Sequence, residues 1–476
     1  MPQIEKSQIE KYKNILLLGI GGIGMSALAR FFNSQNKNVF GYDQHQTEIT
    51  DELLSEGVDV FFDDDVSCIP HVFQKNNSEN LIIYTLAISE NNALFSFFNA
   101  KDFVFKKRSV VLGLISEKFF TIAIAGTHGK TTTSALLTCL LKESNINLTS
   151  FVGGVSRNYK SNFICSNKSN DSNVLVVEAD EFDKSFLELY PDIAVITSID
   201  NDHLDTYENF EDIKSAFHQF SKQIKNGGSL ILEENISDNF EDITHVNKYT
   251  YSSVAISDIY SKKIKRNGTF VNFNIELSSK AKKLLFEDKP LVNEFLLPMP
   301  GLHNLSNTLA AITVCMILKI DITEIVKSLK YFKGINRRFD VHIDSIKNVY
   351  IDDYAHHPKE IMMTLLATKE LFPKRKLTVV FQPHLYSRTK DFAQEFASSL
   401  KIAEELIITN IFPAREQPIV GVDSNLILDF CSNEKKQICN KSEVLDVLSE
   451  NEIDVLVTLG AGDISTLVEP IKHMLN

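Results

Sequence analysis

Thr121-Ile122-Ala123-Ile124-Ala125-Gly126-Thr127-His128-Gly129-Lys130-Thr131-Thr132-Thr133 is the stretch that decides the fold. Its first five residues have the length and apolar content of a buried strand, and the pattern SALLTCLLKES that follows is helical. The turn between them is a phosphate cradle. Glycines let several backbone N–H groups converge on one point, and a helix N-terminus adds positive potential there. Gly126, Thr127, His128, Gly129, Lys130, Thr131 and Thr132 are therefore expected to bind ATP, with Lys130 reaching the outer phosphates. Thr131 or Thr132 would offer a hydroxyl to Mg²⁺. The spacing departs from the general GxxxxGK[ST] pattern, because position 124 is Ile. The turn is two residues tighter between its first glycine and the lysine, but a plain glycine turn has no need of Lys followed by three threonines.

Upstream, Ile15-Leu16-Leu17-Leu18 runs into Gly19-Ile20-Gly21-Gly22-Ile23-Gly24, then a helical pattern, then a short strand ending at Asp43. Strand, glycine turn, helix, strand and acid make a βαβ unit with a dinucleotide fingerprint. Taken alone it predicts an NAD-linked dehydrogenase; physically it is a turn that can receive a diphosphate. Since the Lys130 turn already serves ATP, Gly19, Gly21, Gly22, Gly24 and Asp43 are expected to hold a different nucleotide, one that carries a sugar.

Downstream, the run VLVV ends in Glu178-Ala179-Asp180-Glu181-Phe182-Asp183, and DIAVITSI ends in Asp200-Asn201-Asp202-His203-Leu204-Asp205. Ligands of α/β sheets sit outside the carboxyl ends of the strands. Glu178 and His203 thus stand where a cation bridging phosphates would be, whereas Asp180 and Asp183 suit a solvated acidic loop equally well. His is an unusual ligand for a hard cation.

Strand and helix patterns restart near 118 and 332, giving three expected domains: 1–117, 118–331 and 332–476. The stretch from about 229 to 297 alternates short apolar runs with Asn, Ser and Gly and is expected to be β-rich insertion material. Strands expected at Val349–Asp352, Leu377–Phe381, Glu405–Thr409 and Val455–Thr458 alternate with helical stretches, the signature of a parallel sheet with crossover helices.

Bulk properties bound the partners. The 476 residues are 43% hydrophobic and 23% charged, the balance of a globular protein. A net charge of −13 argues against nucleic acid bound by phosphate neutralisation. No run reaches the roughly 18 apolar residues of a membrane span, and the charged start MPQIEKSQIEKYKN lacks an apolar signal region. The six cysteines show no CxxC spacing and are expected to be reduced, in a cytoplasmic protein.

GIGGIGMSALA, AGTHGKTTT, EADEFD, DHLD, GLHNLSN, NRRFD, DDYAHHPKE and FQPHLYSR occur in this order over nearly the whole chain. Singly these motifs are modestly specific; in register they are highly specific. Together they resemble the Mur ligases, and within that family the alanine-adding branch. The resemblance implies an α/β protein with a Rossmann-like UDP-binding domain, a central P-loop ATPase domain built on a parallel sheet, and a Rossmann-like C-terminal domain. It implies ATP as co-substrate, Mg²⁺ or Mn²⁺ as cofactor, and UDP-N-acetylmuramate and L-alanine as substrates, in a monomer or weak dimer making peptidoglycan precursors. By the family's pattern Lys130 contacts the γ-phosphate, Thr131, Glu178 and His203 hold the metal, and Asn304 and Asn307 join the nucleotide site. Arg338 and Asp353 would close on ATP, while Tyr354, His356 and Arg388 would face the incoming alanine and the muramyl group.

The chemistry agrees with this set. A carboxylate does not react with an amine at neutral pH, so phosphorylation must first supply a leaving group. Phosphoryl transfer needs cations and in-line positioning more than covalent catalysis. Either His356 or Asp353 could take the amine's proton, and the residues alone do not choose. In FQPHLYSR, position 385 is Leu where several relatives carry Arg, so Arg388 or Arg415 would have to compensate. Three rivals stand beside this reading: the tripeptide-recycling member of the same family, an NAD-linked dehydrogenase with an unrelated ATPase module, and a nucleotide switch, which leaves Asp353, His356 and Arg388 without a use.

Overall fold

The computed structural model describes residues 9–166, 174–201, 206–285, 294–414 and 416–476. Within them the chain forms three sheets, each built around strands whose continuous apolar runs mark burial on both faces.

The first sheet holds β1 (Asn14–Leu18), β2 (Asn38–Tyr42), β3 (Asp59–Phe61), β4 (Asn80–Tyr84) and β5 (Phe105–Lys107) in the order β3-β2-β1-β4-β5. All its pairings are parallel. Helices α1 (Ile23–Ser34), α2 (Glu48–Ser55), α3 (Ala93–Asn99) and α4 (Arg108–Ser116) accompany it. The strand order reverses beside β1, so the crevice for a ligand opens beyond the ends of β1 and β4.

The second sheet holds β6 (Phe120–Ala125), β7 (Leu148–Ser156), β8 (Ser161–Cys165), β9 (Val174–Glu178), β10 (Ile193–Ile196), β11 (Ser229–Glu233), β12 (Asn247–Ser252), β13 (Ile259–Asn267), β14 (Phe270–Leu277) and β15 (Phe295–Leu297). Their order is β15-β14-β13-β12-β11-β10-β6-β9-β7-β8. Strands β6, β9, β10 and β11 pair in parallel, and β7 with β8 is antiparallel. The 229–297 stretch is therefore not an insertion. It continues the central sheet, with β11 and β12 joined to it in parallel register. Its strands alternate because one face is solvated: β14 reads exposed, buried, intermediate, buried along its length. Helix α5 (Lys130–Glu143) follows β6 directly.

The third sheet holds β16 (Asp340–Asp344), β17 (Val349–Asp353), β18 (Leu377–Phe381), β19 (Glu405–Ile408), β20 (Lys435–Ile438) and β21 (Val455–Leu459) in the order β16-β17-β21-β18-β19-β20. It is parallel apart from the antiparallel pair β16–β17.

Contacts gather the chain into two compact units. One comprises Met1–Lys265, Asn272–Leu297 and Ser306–Lys333; the other comprises Arg266–Val271, Pro298–Leu305 and Gly334–Asn476. The first two sheets share one hydrophobic cluster that runs from Ile15 and Phe31 to Phe151 and Phe217. The ring centroids of Phe31 and Phe151 lie 5.7 Å apart. A buried Arg30 completes this joint, giving its Nη1 to Asn162 Oδ1 at 2.5 Å and its Nη2 to Glu52 at 2.6 Å. Asn162 Nδ2 in turn donates to the Ile23 carbonyl at 2.6 Å. The six cysteines are free thiols, and no described helix is long and apolar enough to cross a membrane.

Candidate active site

Three adjacent strands of the central sheet deliver the phosphate loop and its surroundings. β6 ends in the Gly126 turn, β9 ends on Glu178, and β10 runs into Thr197, Ser198 and Asp200. The β10 exit backs the turn: Thr127 N donates to Ser198 O at 3.0 Å, His128 N to Ser198 Oγ at 2.9 Å, and Asp200 N to Thr127 Oγ1 at 2.9 Å. Gly126 and Gly129 have φ of 127° and 85°, and a Cβ on Gly129 would sit 2.4 Å from Asn307 Oδ1. Glycine is thus required where the turn crosses the buried Asn307. Helix α5 starts at Lys130 with Gly129 as N-cap and no side-chain acceptor on its first amides. Those amides also have no intrahelical partner, which leaves them to an anion.

Glu178 is organised by the same helix. Its oxygens accept from Thr131 Oγ1 at 3.2 Å, Ser134 Oγ at 2.9 Å and Gly153 N at 2.6 Å. Lys130 Nζ donates to Gly126 O at 2.7 Å, Thr127 O at 3.3 Å and both oxygens of Glu181, at 2.8 and 2.9 Å. Burial works against the Lys130 charge, but the carboxylates of Glu181, Asp180 and Glu178 outweigh it and hold its pKa above the ordinary lysine range. A Thr131 hydroxyl beside a carboxylate is an oxygen donor set of the kind Mg²⁺ takes. His203 lies outside the described residues, as do Asp202 and Asp205. Among the described residues no three His, Cys, Asp or Glu side chains are arranged to hold a metal by themselves.

The glycine turn of the first sheet opens on the same space. A cavity of about 340 Å³ is lined by Gly22 and Gly24 on one side and by Lys130, Gly153, Glu178 and Asp180 on the other. Asp43 Oδ2 accepts from Gly21 N at 2.8 Å; its carboxylate fastens the turn. Gly19 has φ of 85°, and a Cβ there would strike Thr85 at 2.6 Å. Arg108, at the start of α4, brings its Nη1 to 3.0 Å from where a Gly24 Cβ would be.

The second unit carries the other expected residues. Asp353 ends β17 and is 6% exposed. Its carboxylate accepts from Phe339 N and Ala355 N, both at 2.8 Å, and from Thr364 Oγ1 at 3.1 Å. Burial pushes its pKa up to about 6, although the Arg338 guanidinium and the two amides pull the other way. Arg338 lies over the Tyr354 ring at 5.1 Å and 3.7 Å from Glu360. His356 Nδ1 stands 3.0 Å from Tyr354 O, and its ring packs edge-on to Tyr354. Arg388 is buried on α11 (Tyr386–Asp391), where α6 (Phe210–Lys222), α7 (Ser279–Leu285), α8 (Leu302–Ile317), α9 (Ile322–Leu329) and α10 (Pro358–Leu371) are the intervening helices. Asn304 belongs to this unit, its Nδ2 donating to Pro300 O at 2.8 Å. Leu385 precedes α11 with φ 71° and ψ 138°, a backbone region that side chains seldom occupy and that gathers at functional sites.

Comparison with known proteins agrees with this arrangement over almost the whole chain. The Mur ligase family, catalytic domain, matches residues 14–120, the Mur ligase middle domain 124–315, and the Mur ligase, glutamate ligase domain 337–462. The chain belongs to the Mur ligase family. Curated relatives within it include the UDP-N-acetylmuramate--L-alanine ligase of Parabacteroides distasonis, 40% identical and covering 98% of each chain. The enzyme of the same name from Flavobacterium psychrophilum is 41% identical over 98% of this chain and 99% of its own. Among solved structures, UDP-N-acetylmuramate-alanine ligase MurC of Thermotoga maritima superposes with a TM-score of 0.78 at 26% identity, covering 97% of this chain and 99% of that one. A murein peptide ligase of Psychrobacter arcticus shares the fold, with a TM-score of 0.71 at 20% identity over 97% and 98%.

Two residues of this Mur ligase site escaped the motif reading. Glu181 lies inside EADEFD but carries no mark that separates it from Asp180 and Asp183 in sequence. Its burial to 1% exposure does separate it. Arg108 follows two lysines in a polar run, and only the parallel pairing of β5 with β4 sets it at the mouth of the first-sheet crevice.

Proposed function

We propose that this chain joins L-alanine to the carboxylate of UDP-N-acetylmuramate at the expense of ATP, through an acyl phosphate, in cytoplasmic peptidoglycan-precursor synthesis. The observation that carries the reading is the single cavity lined by both nucleotide turns, Gly22 and Gly24 opposite Lys130 and Glu178. Such a cavity suits the transfer of a phosphoryl group from a nucleotide held at one turn to an acid held at the other. We further propose 1–117, 118–331 and 332–476 as the UDP-sugar, ATP and amino-acid domains.

In this scheme Gly19, Gly21, Gly22 and Gly24 receive the UDP diphosphate on a turn that Asp43 fastens, and Arg108 faces an anionic part of the sugar acid. Lys130 and the first amides of α5 neutralise charge on the transferred group, as phosphoryl transfer demands. Gly126, Thr127, His128, Gly129, Thr132, Asn304, Asn307 and Arg338 complete the ATP site. Thr131, Glu178 and His203 would hold Mg²⁺, which supplies further charge neutralisation at the phosphates when bound. Transfer to the muramyl carboxylate releases ADP. The alanine amine then attacks the carbonyl carbon, and the tetrahedral intermediate expels phosphate to leave the amide.

The amine must lose a proton, and the geometry favours His356 over Asp353 for this step. His356 Nδ1 faces a carbonyl oxygen at 3.0 Å, so the neutral ring keeps its proton there and presents Nε2 as the basic nitrogen. Asp353 is engaged by its three donors and serves to fix the Phe339 and Ala355 backbone. Tyr354 and Arg388 complete the amino-acid side.

The test is a phosphate-release assay with ATP, UDP-N-acetylmuramate and a panel of amino acids, with the recycling tripeptide as an added arm. L-alanine is expected to give the highest kcat/KM. Turnover with the tripeptide and not with L-alanine would reject the reading in favour of the recycling ligase.

A further inference from the structure

Lys130 is the cation that the phosphate loop offers to ATP, yet its donors are all engaged within the chain. Its Nζ is shared among two loop carbonyls and both oxygens of Glu181. Glu181 is no incidental surface partner, since its side chain is 2% exposed and that of Lys130 is 15% exposed. A buried carboxylate is costly unless it is paired or hydrogen-bonded, and here the partner is the phosphate-binding lysine.

The backbone around Glu181 is built to hold that carboxylate in place. Asp183 and Lys184 both take φ of 53°, a left-handed bend in a segment without glycine. Tyr207, itself 1% exposed, donates its hydroxyl to the Glu181 carbonyl at 2.7 Å. Lys184 N donates to the same carbonyl at 2.9 Å, and Lys107 from β5 pairs with Asp183. The turn is thus fastened on both sides, so the reach of Glu181 toward Lys130 is set by the fold and not by a mobile side chain.

We infer that Glu181 is a positioning residue that stands in for the outer ATP phosphate, holding the Lys130 ammonium in place until the nucleotide takes it over. The inference rests on the ATP reading of this loop. Glu181 and a phosphate compete for one cation, so Glu181 opposes ATP binding while keeping Lys130 charged and aimed. After transfer it reclaims the lysine and so helps the phosphorylated products leave.

The experiment compares wild type with Glu181→Gln in the full chain, using β,γ-methylene ATP with Mg²⁺ in calorimetry and ATP in steady-state turnover. Glu181→Gln is expected to bind the analogue at least about fivefold more tightly, the floor for one lost opposing charge even at the dielectric of water, and to lower kcat. Tighter binding with slower turnover is a split that a merely structural residue does not produce, because damage to the loop weakens binding and turnover together. Unchanged or weaker analogue binding in a variant that melts like wild type would overturn the inference. Should Glu181→Gln fail to fold, Glu181→Asp draws the carboxylate back by one methylene and must tighten binding in the same direction; no tightening overturns the inference as well. Failure of the ATP reading looks different: the wild type itself would not bind the analogue, or Lys130→Ala would bind it equally well.

Discussion

Two buried carboxylates at strand ends, Glu181 after β9 and Asp353 at the end of β17, are held in opposite ways. Glu181 faces an ammonium at 2.8 Å. Asp353 is held by two backbone amides and a hydroxyl, and burial leaves its pKa at about 6. The neighbour of Asp353 on the same strand repeats the first solution: Asp352, fully buried, accepts from Arg337 Nε at 3.1 Å and from Thr458 Oγ1 at 2.7 Å. The difference teaches that burial alone does not fix a carboxylate's charge at neutral pH. Glu181 and Asp352 each have a cation in direct contact, which makes them structural or competitive; Asp353 has only neutral donors in contact, and burial pushes its pKa up to about 6 against the opposing pull of the Arg338 charge.

The harshest way to break this comparison is to remove a cation from a buried pair. Arg337→Ala strands Asp352 without its guanidinium and also removes a donor to the Gly460 carbonyl. We expect a loss of about 3–5 kcal/mol in chemical denaturation, the range for uncompensated buried charge. A loss below about 1 kcal/mol would show that the Thr458 hydroxyl suffices and that the contrast with Asp353 is one of degree.

At the other unit the same operation strands the buried Glu181 and also strikes the chemistry. Lys130→Ala should cut phosphate release by at least about 100-fold, the scale for one lost charge-stabilising donor. Calorimetric affinity for UDP-N-acetylmuramate should stay within about twofold, because the UDP diphosphate is proposed to sit on the glycine turn after β1 and not on the Lys130 turn. Retained turnover would mean that the amides of α5 alone carry the phosphate.

Asp353→Asn sharpens the neutral side of the comparison. With the folded-state pKa raised from 3.8 to about 6, folded protein binds more protons than unfolded protein between these values, so stability falls as pH rises through that window. Wild type should therefore lose melting temperature relative to Asp353→Asn between about pH 4 and 6. The acid limb of kcat/KM should persist in the variant, since His356 takes the amine's proton. Loss of that limb would assign the proton transfer to Asp353 instead.

How far these groups were legible in sequence follows the same division. The Gly126–Thr133 turn, the glycine turn after β1 and Glu178 could be placed because strand, turn and helix periodicities fix their position whatever surrounds them. Asp353 and His356 were legible as the end of an apolar run followed by Pro358. Glu181 was not, because choosing among Asp180, Glu181 and Asp183 depends on a left-handed bend at Asp183 and Lys184 that no residue there announces. The strand β20 was missed for a related reason. β20 reads Lys-Lys-Gln-Ile with its first three residues exposed, an edge strand with no apolar pattern to detect. The 229–297 stretch was legible as β-rich, but not as part of the central sheet that its strands β11 to β15 extend, because strand pairing across the sheet leaves no mark in local alternation.

The smallest effect tests whether a fastened backbone or a charge sets the Glu181 turn. Tyr207→Phe deletes one buried hydrogen bond to the Glu181 carbonyl, but that oxygen keeps the Lys184 amide at 2.9 Å. The carbonyl is therefore not orphaned, and the loss should be about 1 kcal/mol, the net worth of a single bond and not the larger penalty of an unsatisfied group. If the hydroxyl steers the turn, the variant should also bind β,γ-methylene ATP more tightly, since a loosened Glu181 competes less well for Lys130. If binding is unchanged at that modest cost, the bend at Asp183 and Lys184 is sufficient, and the tyrosine is a brace on a turn already formed.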